Sequence, residues 1–555
     1  MRALALPVLA AVLAVAAMPA RADDGVTVLT AARIHTLDPA RPRAQALAWD
    51  AQGRLLAVGG RDEVLARFPR ARRLDFGSAT VVPGLIDAHG HVGNLGLSRR
   101  QVDLVGARSK QEVIERLRAF ARELPPGAWL QGRGWDQNDW PEKAFPTAAD
   151  LDAAFPDRPV WLQRVDGHAG WANSAAMRAV RRELGGSWQP EGGQILRDAQ
   201  GRPTGIFVDA AMALVDAAVP PLDEATALRA LELGMREAVA HGLTGVHDAG
   251  VSRAELRRYI ALADAGRLPL RITAMADGDG EALEWLCREG LYAHPSGRLR
   301  MRTVKLYADG ALGSRGAALL ADYADDPGNR GLLLMSPQRL RDALAKARRC
   351  GVQAATHAIG DRGNREVLDA YVEVLGADAA GDHRWRIEHA QVLAPEDLPR
   401  LARLGVIASM QPTHATSDMP WAEDRLGPAR AVGAYAWRQL RDSGARLALG
   451  SDFPVESVDP RLGLYAAVTR ADAQGQPPGG WHPEEKLTAF EALRGFTRDA
   501  AYAGFAEQEV GSLEPGKRAD FVILGEDPLA VEPARLRTLP IRATYVDGRP
   551  VYEAR

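Results

Sequence analysis

The sequence predicts an α/β fold in which a (β/α)8 barrel, the TIM barrel, is joined to a β-sandwich formed by both ends of the chain. Eight short apolar runs alternate with amphipathic helical patterns through the middle of the chain, as parallel strands and their connecting helices do. Short β-rich segments occur at both ends. A chain of 555 residues exceeds the usual size of one hydrophobic core, so more than one structural unit is expected.

The two ends of the chain have the pattern of small β segments. Val26–Leu29 and Ala46–Val58 near the start, and Ile541–Val546 near the end, are apolar or alternating runs bounded by turn residues. Neither end is large enough to bury a core alone, so we expect residues 23–79 and 506–555 to form one composite β-sandwich. Two separate ribbons on the edges of the main domain are the alternative.

The barrel is predicted over residues 80–505. Its candidate strands are short, apolar runs: Thr80–Ala88, Leu243–His247, Leu270–Ala274, Thr303–Tyr307, Val352–Thr356, Trp385–Glu388, Val406–Met410 and Arg446–Leu449. Helical patterns separate them, for example Leu340–Cys350 before the fifth strand and Asn364–Leu375 before the sixth. Residues 96–236 lie between the first two strands. Because loops that follow the strands form the mouth of such a barrel, we expect this segment to be an insertion over the mouth.

Residues 1–22 have the pattern of a secretory signal peptide. They begin with the basic Arg2, continue through a run rich in alanine, leucine and valine, and end in Ala20-Arg21-Ala22. The pattern predicts a periplasmic or secreted protein. An uncleaved anchor is the alternative, but the apolar run is shorter than the roughly 20 residues that a membrane-spanning helix needs. No stable membrane insertion is therefore expected after cleavage.

Charge and cysteine content narrow the protein classes. Lysine and arginine number 69 and aspartate and glutamate 71, so the chain has no large positive surplus to attract nucleic acid, and nucleic-acid binding is not expected. The two cysteines are Cys287 and Cys350. Spacing alone does not place their α-carbons within disulfide reach, and we treat them as unpaired.

Histidines stand at the ends of several predicted strands. His89 and His91 end the first strand, and alternate residues of an extended segment point the same way, so both imidazoles can reach one metal ion. His357, His389 and Asp452 end the fifth, sixth and eighth strands. Because the carboxyl ends of all barrel strands meet at one mouth, we expect these five side chains to lie together as metal ligands. With 12 histidines in the whole chain, a chance placement of four at strand ends is improbable.

Lys305 lies inside the apolar fourth strand. A lysine in this position must extend its amine to the barrel mouth or lose its charge. A neutral buried amine can react with carbon dioxide to form a carbamate, whose two oxygens can bridge two cations. The alternative is an unmodified lysine that forms an ion pair or binds substrate at the mouth.

Together these residues resemble the amidohydrolase superfamily, specifically its exoenzyme-like branch, which includes N-substituted formamide deformylase and YtcJ-like proteins. The similar features extend over nearly the whole mature chain: the His-x-His after Pro83-Gly84, Lys305–Arg315, His357–Arg362, Glu388-His389-Ala390 and Ser451–Pro454. The resemblance implies one or two divalent metal ions, expected to be zinc. It also implies the individual roles: His89 and His91 hold one metal, His357 and His389 hold the other, Lys305 bridges as a carbamate, and Asp452 is both ligand and proton carrier.

The insertion carries further residues that resemble the substrate side of this branch. The resemblance implies that His168 is a catalytic residue that binds substrate or polarises its carbonyl group, whereas a loop histidine that caps backbone groups is the alternative. Trp135 and Asp136, with Trp140, would form a substrate-binding wall with an aromatic surface.

Residues around the second and fourth strands complete the candidate site. Tyr307, Asp309, Ser314 and Arg315 would orient substrate or position Lys305, and a structural ion pair of Asp309 with Arg315 is an equal alternative. His247 and Asp248 end the second strand. Because ligand histidines need oriented partners, we interpret this pair as support for the ligands.

The predicted function is hydrolysis of a C–N bond in a small molecule, such as an amide, N-formyl or cyclic amide bond, by metal-activated hydroxide with Asp452 as general base and acid. One rival keeps the metal site but cleaves an ester or phosphotriester, or deaminates a heterocycle, because fold and metal do not choose among these reactions. A rival from another class is an exported binding protein without turnover. The sandwich surface offers a contact for a homo-oligomer.

Overall fold

A computed structural model of the protein describes residues 25–554, so the predicted signal peptide of residues 1–22 lies outside the described residues. The chain begins with one half of a β domain, whose elements are β1 (Thr27–His35), β2 (Arg43–Trp49), β3 (Leu55–Gly59), α1 (Arg61–Arg67), β4 (Arg72–Asp75) and β5 (Thr80–Pro83). β1 pairs with β2 in antiparallel fashion along one edge. Its first half pairs in parallel with β4 and its second half with β5.

The barrel begins at β6 (Leu85–Gly90), directly after β5. The sequence predicts one strand over Thr80–Ala88, but the structure interrupts it at Gly84, so that β5 belongs to the β domain and β6 to the barrel. A Cβ atom at Gly84 would lie 2.1 Å from Oγ1 of Thr244. Glycine therefore lets the chain pass closely between the two units.

The insertion follows α2 (Val92–Ser98) and has its own sheet. Its elements are β7 (Val102–Asp103), α3 (Lys110–Ala121), β8 (Leu130–Trp135), α4 (Ala148–Asp152), β9 (Val160–Arg164), β10 (Ala169–Ala172), α5 (Ser174–Ala179), β11 (Gly193–Arg197), β12 (Pro203–Asp209) and α6 (Ala213–Asp216). Within the described chain its strands pair in the order β11-β12-β10-β9-β8-β7. Trp135, Trp140 and Trp171 lie in a hydrophobic core of its own. The insertion is therefore held together by its own packing.

The remaining barrel elements alternate along the chain: α7 (Glu224–Ala240), β13 (Leu243–Val251), α8 (Arg253–Asp264), β14 (Arg271–Asp277), α9 (Glu281–Glu289), β15 (Tyr292–Ala293), β16 (Leu299–Tyr307), α10 (Pro337–Arg349), β17 (Gln353–Ala358), α11 (Asp361–Leu375), β18 (Arg386–His389), α12 (Leu398–Arg403), β19 (Ile407–Met410), α13 (Pro412–Asp418), α14 (Ala422–Leu426), α15 (Pro428–Ala431), α16 (Trp437–Asp442) and β20 (Leu447–Leu449). Across residues 25–554, eight parallel strands form the barrel in chain order, β6-β13-β14-β16-β17-β18-β19-β20. The predicted barrel is confirmed.

Helix α10 shows how local sequence sets these elements. The side chain of Ser336 accepts a hydrogen bond from the backbone N–H of Arg339, and Pro337 occupies the first turn, so the helix begins there. The helix buries the apolar residues that recur at helical spacing, which are Leu340, Ala343, Leu344 and Ala347. Among residues 25–554, no helix combines the length and the apolar composition needed to cross a bilayer.

The first and last barrel strands meet through a buried carboxylate. Asp87 in β6 accepts hydrogen bonds from the N–H of Ser451, at 3.1 Å, and from its hydroxyl, at 2.7 Å. The N–H of Asp452 donates to the carbonyl oxygen of His89 at 2.7 Å. These bonds hold the end of β6 beside the segment that follows β20.

After the barrel the chain returns to the β domain through α17 (Pro460–Thr469), α18 (Ala489–Arg494), α19 (Ala500–Ala503), β21 (Phe521–Leu524), β22 (Ile541–Val546) and β23 (Arg549–Glu553). β21 pairs with β5, so one sheet contains strands from both ends of the chain. Leu29 and Val81 share a hydrophobic core with Phe521, Ile523 and Tyr545. The composite β-sandwich is confirmed, and the alternative of two separate ribbons is wrong.

A buried arginine links the barrel to the β domain. Arg271, at the start of β14, is 7% exposed. Its Nε lies 2.7 Å from Oδ2 of Asp520, and its Nη2 lies 2.5 Å from Oδ1 of Asp547. Burial opposes the charge of the guanidinium, but the two carboxylates raise the pKa of Arg271 above its usual value. The barrel and the sandwich therefore share a fully paired cation.

Cys287 and Cys350 form a disulfide, and their α-carbons are 5.0 Å apart. The expectation of unpaired cysteines is therefore wrong. Cys287 lies in α9 and Cys350 directly follows α10, and these helices contact each other on the outside of the barrel. A sequence separation of 63 residues gives no sign of this contact, which only the packing of the two helices creates.

Replacing Asp520 by alanine should destabilise the junction of barrel and sandwich. The change leaves the buried guanidinium of Arg271 with Asp547 as its remaining carboxylate, so we expect the free energy of unfolding to fall by about 3 kcal/mol, measured by urea denaturation. The control is Glu289→Ala, because Glu289 forms an exposed pair with Arg288 and its removal should change stability by less than about 0.5 kcal/mol. Equal effects in the two variants would contradict the linking role.

Candidate active site

The ends of the barrel strands bring the predicted ligands together. His89 lies in β6, His389 ends β18, and Asp452 follows β20; one ligand atom from each lies within 4.8 Å of the others, and all three residues are buried. Nε2 of His91 is 3.0 Å from Oδ1 of Asp452. The rings of His357 and His389 have their centres 4.6 Å apart. We call these five residues the ligand group.

Lys305 joins the ligand group from β16. It is 1% exposed, and its Nζ lies 2.9 Å from Nε2 of His89. Burial lowers the pKa of its amine, because the charged form loses its hydration. Lys305, the sixth residue that the sequence predicts for the metal site, therefore contacts His89, and burial disfavours its charged form.

The buried histidines of the ligand group are neutral at physiological pH. Burial, followed by the nearby charge of Lys305, lowers the pKa of His89 to about 4. Burial also lowers the pKa of His357 and of His389 well below the usual value. A neutral imidazole keeps a nitrogen lone pair available for a cation, so no proton must be displaced.

Asp452 supplies the negative charge of the group. Burial opposes its ionisation, but the neighbouring His89 and His91 lower the pKa of Asp452 well below the usual value. Neutral imidazoles combined with a carboxylate are ligands that zinc and similar divalent ions take. The residues present therefore fit a divalent cation.

A buried ion pair orients His89. Oε2 of Glu388 is 2.5 Å from Nδ1 of His89, and Oε1 of Glu388 is 2.5 Å from Nε of Arg386. Arg386 also donates to the carbonyl of Ala88 and to the hydroxyl of Ser409, each at 2.6 Å. The Nδ1–H of His89 therefore points at Glu388 and leaves Nε2 for a cation. Sequence reasoning missed this pair, although two charged residues inside a short buried strand were a signal.

His247 and Asp248 support the ligand group from a distance. Nδ1 of His247 accepts a hydrogen bond from Arg386 at 2.9 Å. Asp248 accepts a hydrogen bond from the N–H of Val92 at 3.0 Å, where α2 begins directly after His91. His247 therefore contacts Arg386, and Asp248 contacts the start of α2 beside His91. These contacts agree with the interpretation of both residues as support for the ligands.

A second missed pair follows β19. His414 in α13 stacks on His389 with ring centres 5.7 Å apart, and its Nε2 is 3.7 Å from Oδ2 of Asp452. Gln411 accepts a hydrogen bond from Nδ1 of His389 at 2.8 Å. The sequence signal for His414 and Gln411 is that they follow the seventh strand. The other ligands were predicted in the same way, from their positions at the carboxyl ends of strands.

His168 approaches the ligand group from the insertion, in the turn between β9 and β10. Its Nδ1 is 2.6 Å from Oδ1 of Asp209, and its ring centre is 5.1 Å from that of His357. Burial opposes protonation, but the hydrogen bond and the charge of Asp209 raise the pKa of His168 to about 9. His168 is therefore a cation at neutral pH.

A cavity of about 340 Å³ lies above the ligand group, between the barrel and the insertion. His357, His389 and Asp452 line its floor. The insertion contributes Asp136 and His168 to the wall, and the barrel loops contribute residues that include Leu312, His414 and Trp421. The volume suits a small molecule.

The predicted aromatic wall is not formed by Trp135 and Trp140. Trp135 is fully buried in the core of the insertion, where its ring contacts Trp140 and Trp171, and its indole N–H donates to the carbonyl of Leu162 at 3.0 Å. Large aromatic rings stabilise the insertion most when they leave water completely. Trp421, from the opposite side, supplies the aromatic surface of the cavity.

Asp309 and Arg315 lie away from the cavity wall. Asp309 is fully buried and its oxygens accept backbone hydrogen bonds of 2.8–2.9 Å from Ala318, Ile359 and Gly360. Arg315 pairs with Asp325 at 2.9 Å. The structure therefore uses Asp309 to join two loops beside His357, whose Nε2 is 3.8 Å from Oδ1 of Asp309. Arg315 pairs with Asp325 and not with Asp309, so the Asp309–Arg315 pair that the sequence allows is not formed.

Tyr307 also stands outside the cavity wall. Its hydroxyl donates to Asp277 at 3.0 Å, and the centre of its ring is 5.3 Å from Nζ of Lys305. The sequence allows Tyr307 either to position Lys305 or to orient substrate. The structure places Tyr307 beside Lys305 and outside the cavity wall, which agrees with the first role.

Residues 74–552 match the amidohydrolase family, so the chain belongs to this family and is a hydrolase. Its His89, His389 and Asp452 form a possible metal site. The Bacillus subtilis protein YtcJ, named as an amidohydrolase, is 35% identical over 87% of this chain and 91% of its own length. N-substituted formamide deformylase of Arthrobacter pascens is 32% identical over 94% of this chain and 97% of its own. A metal-dependent hydrolase from Pyrococcus horikoshii has a solved structure that matches with a TM-score of 0.74 at 28% identity, over 92% of this chain and 99% of its own. The resemblance to the exoenzyme-like branch is confirmed.

Replacing Glu388 by glutamine should weaken metal binding. The change removes the carboxylate that orients His89, and partners of this kind contribute about 10–100-fold to metal affinity. We therefore expect the zinc dissociation constant to rise by about 10–100-fold, measured by competition with a chromogenic chelator on protein that circular dichroism shows to be folded. Glu373→Gln, at an exposed position of α11, is the control and should bind zinc as the wild type does. An unchanged affinity in Glu388→Gln would refute the orienting role.

The pair of His168 and Asp209 should make stability depend on pH. The folded-state pKa of His168, about 9, lies above the usual 6.5, so the pair stabilises the protein fully below pH 6.5 and this contribution is lost as the pH rises through about 9. His168→Gln removes the charge. We expect the difference in unfolding free energy between wild type and variant to be largest near pH 6 and absent by about pH 10, in urea titrations. A difference that grows with pH is incompatible with a protonated His168.

Proposed function

We propose that the protein is a metal-dependent hydrolase that cleaves a C–N bond in a small molecule, such as an amide, an N-formyl group or a cyclic amide. The position of Asp452 carries the proposal, because its carboxylate contacts the histidines and also lines the cavity. Cleavage of a C–N bond needs a group that moves a proton from the attacking water to the leaving nitrogen, and Asp452 reaches both places. The name of the 32% identical formamide deformylase supports this choice of bond.

The proposed cation ligands are the ligand group, His89, His91, His357, His389 and Asp452, together with Lys305. We propose zinc, as one or two ions, because neutral imidazoles and a carboxylate suit it. A divalent cation at this place supplies Lewis acidity, which lowers the pKa of water and polarises a carbonyl group. The protein contributes three buried histidines whose pKa is lowered, His89, His357 and His389, and, through Glu388, a fixed orientation of His89.

Asp452 carries the proton in the proposed reaction. Its lowered pKa keeps the carboxylate ionised at neutral pH, so an oxygen can accept the proton of the attacking water. The resulting carboxylic acid then donates that proton to the leaving nitrogen, which returns Asp452 to its starting state. An amine is a poor leaving group without this protonation.

His168 is the proposed substrate-polarising residue. It is protonated at neutral pH and lines the cavity beside His357. Asp209 holds Nδ1, which leaves the N–H at Nε2 to donate to the carbonyl oxygen of the substrate. A positive donor at that oxygen stabilises the negative charge that develops there during attack.

We propose that Lys305 is carboxylated on Nζ. Burial favours the neutral amine, whose lone pair attacks carbon dioxide; a new N–C bond forms, one proton leaves, and the product is a carbamate anion. The modification places an anion beside His89 where the amine stood, which a site for divalent cations favours electrostatically.

Export from the cytoplasm is a further part of the proposal. The disulfide between Cys287 and Cys350 supports it, because disulfides persist in oxidising compartments. Detection of the native protein only in the cytoplasmic fraction of its source cells would refute it.

A substrate screen with an Asp452 variant tests the reaction. Purified protein with and without added zinc is assayed against N-formyl, N-acyl, cyclic amide and ester substrates of matched size, and we expect zinc-dependent cleavage of at least one C–N substrate. Asp452→Asn should lower kcat by about 10²–10⁴-fold, because it removes the proton carrier. Asp424→Asn, an exposed carboxylate, is the control. Cleavage restricted to the esters would overturn the choice of bond, and no metal-dependent turnover would favour a binding protein.

Carboxylation of Lys305 can be detected directly. Protein equilibrated with 13C-labelled bicarbonate should show a carbamate carbon resonance that the Lys305→Arg variant lacks, because a guanidinium does not form the adduct. The same resonance in both proteins would assign the label elsewhere, and its absence from the wild type would exclude the carbamate.

A further inference from the structure

The wall of the cavity carries more negative charge than positive charge. Asp452 belongs to the ligand group, but the wall contains other acidic residues as well, which are Asp136, Asp139, Asp166, Asp418 and Glu456. Among the described residues that line the cavity, Arg164 is the one arginine, and there is no lysine. The question is which of these carboxylates the protein itself neutralises.

Arg164 already forms ion pairs with two of these carboxylates. It is 1% exposed, its Nη1 lies 2.5 Å from Oδ2 of Asp166, and its Nη2 contacts Asp136. Its Nε donates to the side chain of Gln137 at 2.8 Å. The nearby Arg133 donates to backbone carbonyl oxygens, one of them that of Val165 at 2.9 Å. Neither arginine is therefore left to pair with the rest of the acidic wall.

Asp418 and Glu456 have only neutral hydrogen-bond partners. Asp418 accepts from the hydroxyl of Tyr435 at 2.5 Å and from the amide of Gln391 at 3.1 Å. Glu456 accepts from Ser417. In the described part of the chain neither carboxylate forms an ion pair with a lysine or arginine, and Arg164 acts on Asp418 only over a longer distance.

Burial disfavours the charge of both carboxyl groups. Burial, opposed in part by the hydrogen bond from Ser417, raises the pKa of Glu456 to about 8, and the charge of Asp418 adds to the effect. Burial similarly raises the pKa of Asp418 to about 7, although the hydrogen bond from Tyr435 opposes it. A positive charge placed in the cavity would stabilise both carboxylates.

An independent feature of the cavity also indicates a ligand with a polar group. His414 is 9% exposed and lines the cavity, and its Nε2 has no hydrogen-bond partner in the described part of the chain. A buried polar atom without a partner is rare in folded proteins. Apolar side chains in the same lining, those of Val105, Leu312 and Val455, suit a short hydrocarbon chain.

We propose that the substrate of this site carries an alkylammonium group, which Asp418 and Glu456 bind, while its C–N bond lies over the ligand group. The inference rests on the proposed function and names the substrate class of the same site. The charged end and the scissile end of the substrate are then recognised by different parts of the cavity, the acidic wall and the floor. A neutral alkyl chain in the same place would leave the two carboxylates unpaired, which favours the cation.

Two probes of equal size test the charge preference without requiring turnover. N-(4-aminobutyl)methanesulfonamide carries an ammonium group, and N-pentylmethanesulfonamide has a methyl group in the same place; both have a sulfonamide where a substrate would have its amide. Binding to the zinc-loaded protein at pH 7.5 is measured by isothermal titration calorimetry. We expect the ammonium probe to bind about 10–100-fold more tightly, since hydrogen bonds between charged groups are the strongest available here.

Variants then assign the preference to the acidic wall. In the double variant Asp418→Asn and Glu456→Gln, the affinity ratio of the two probes should fall to about twofold or less. The single Glu456→Gln variant, which keeps its partner Ser417, should show an intermediate ratio and provides a result if the double variant unfolds in a thermal melt. Asp424→Asn removes an exposed carboxylate outside the cavity and should keep the wild-type ratio.

Equal affinities of the two probes in the wild type, tighter binding of the neutral probe, or no binding of the ammonium probe would overturn the inference. A preference that persists in the folded double variant would overturn it as well. The readout is binding alone, so it separates the two proposals. If the wild-type protein hydrolyses a C–N bond but does not prefer the ammonium probe, only the inference is rejected. If it prefers the ammonium probe but hydrolyses no substrate, only the proposed function is rejected.

Discussion

The contact between the first and last barrel strands is the interaction on which the ligand group depends. Asp87 and Ser451 are 364 residues apart in sequence, and the hydrogen bonds between them hold the ends of β6 and β20 together. His89 and Asp452 follow on either side of this junction, and a backbone bond of 2.7 Å joins them. The ligand group is therefore a property of the closed barrel and is absent from any local segment. Its geometry depends on the junction of the first and last strands, so a substitution far from the mouth that disturbs this junction can change the positions of the ligands.

Removal from water sets the charges of the site. The same burial that lowers the pKa of His89 and of Lys305 would raise the pKa of Asp452, if the neighbouring His89 and His91 did not favour its negative form. Glu388 stays ionised for a related reason, since burial opposes its charge but Arg386 lowers its pKa. A buried ion pair of this kind contributes little net stability, because desolvation offsets the attraction. Its value here is geometric, as it decides which nitrogen of His89 faces the ligand group.

The insertion and the barrel divide the work of the site. The insertion has its own core around Trp135 and Trp171, so it can present Arg164 and His168 to the cavity without depending on the barrel for its shape. The barrel supplies the ligand group. The cavity lining is therefore shared by two separately packed units, whereas the ligand group comes from the barrel alone.

The sequence by itself determined the barrel, the composite sandwich, the strand-end positions of His89, His357 and His389, and the place of Lys305 inside the fourth strand. Hydrophobic period and strand direction are local properties, and all strand ends share one mouth. Only the tertiary structure decided which side chains face the cavity. The side chain of Trp135 packs in the core of the insertion, and that of Asp309 accepts hydrogen bonds from backbone N–H groups. The ring of His414 stacks on His389 of the ligand group. It also decided the pairing of Cys287 with Cys350. These outcomes depend on packing and hydrogen-bond satisfaction between segments distant in sequence, which no local pattern records.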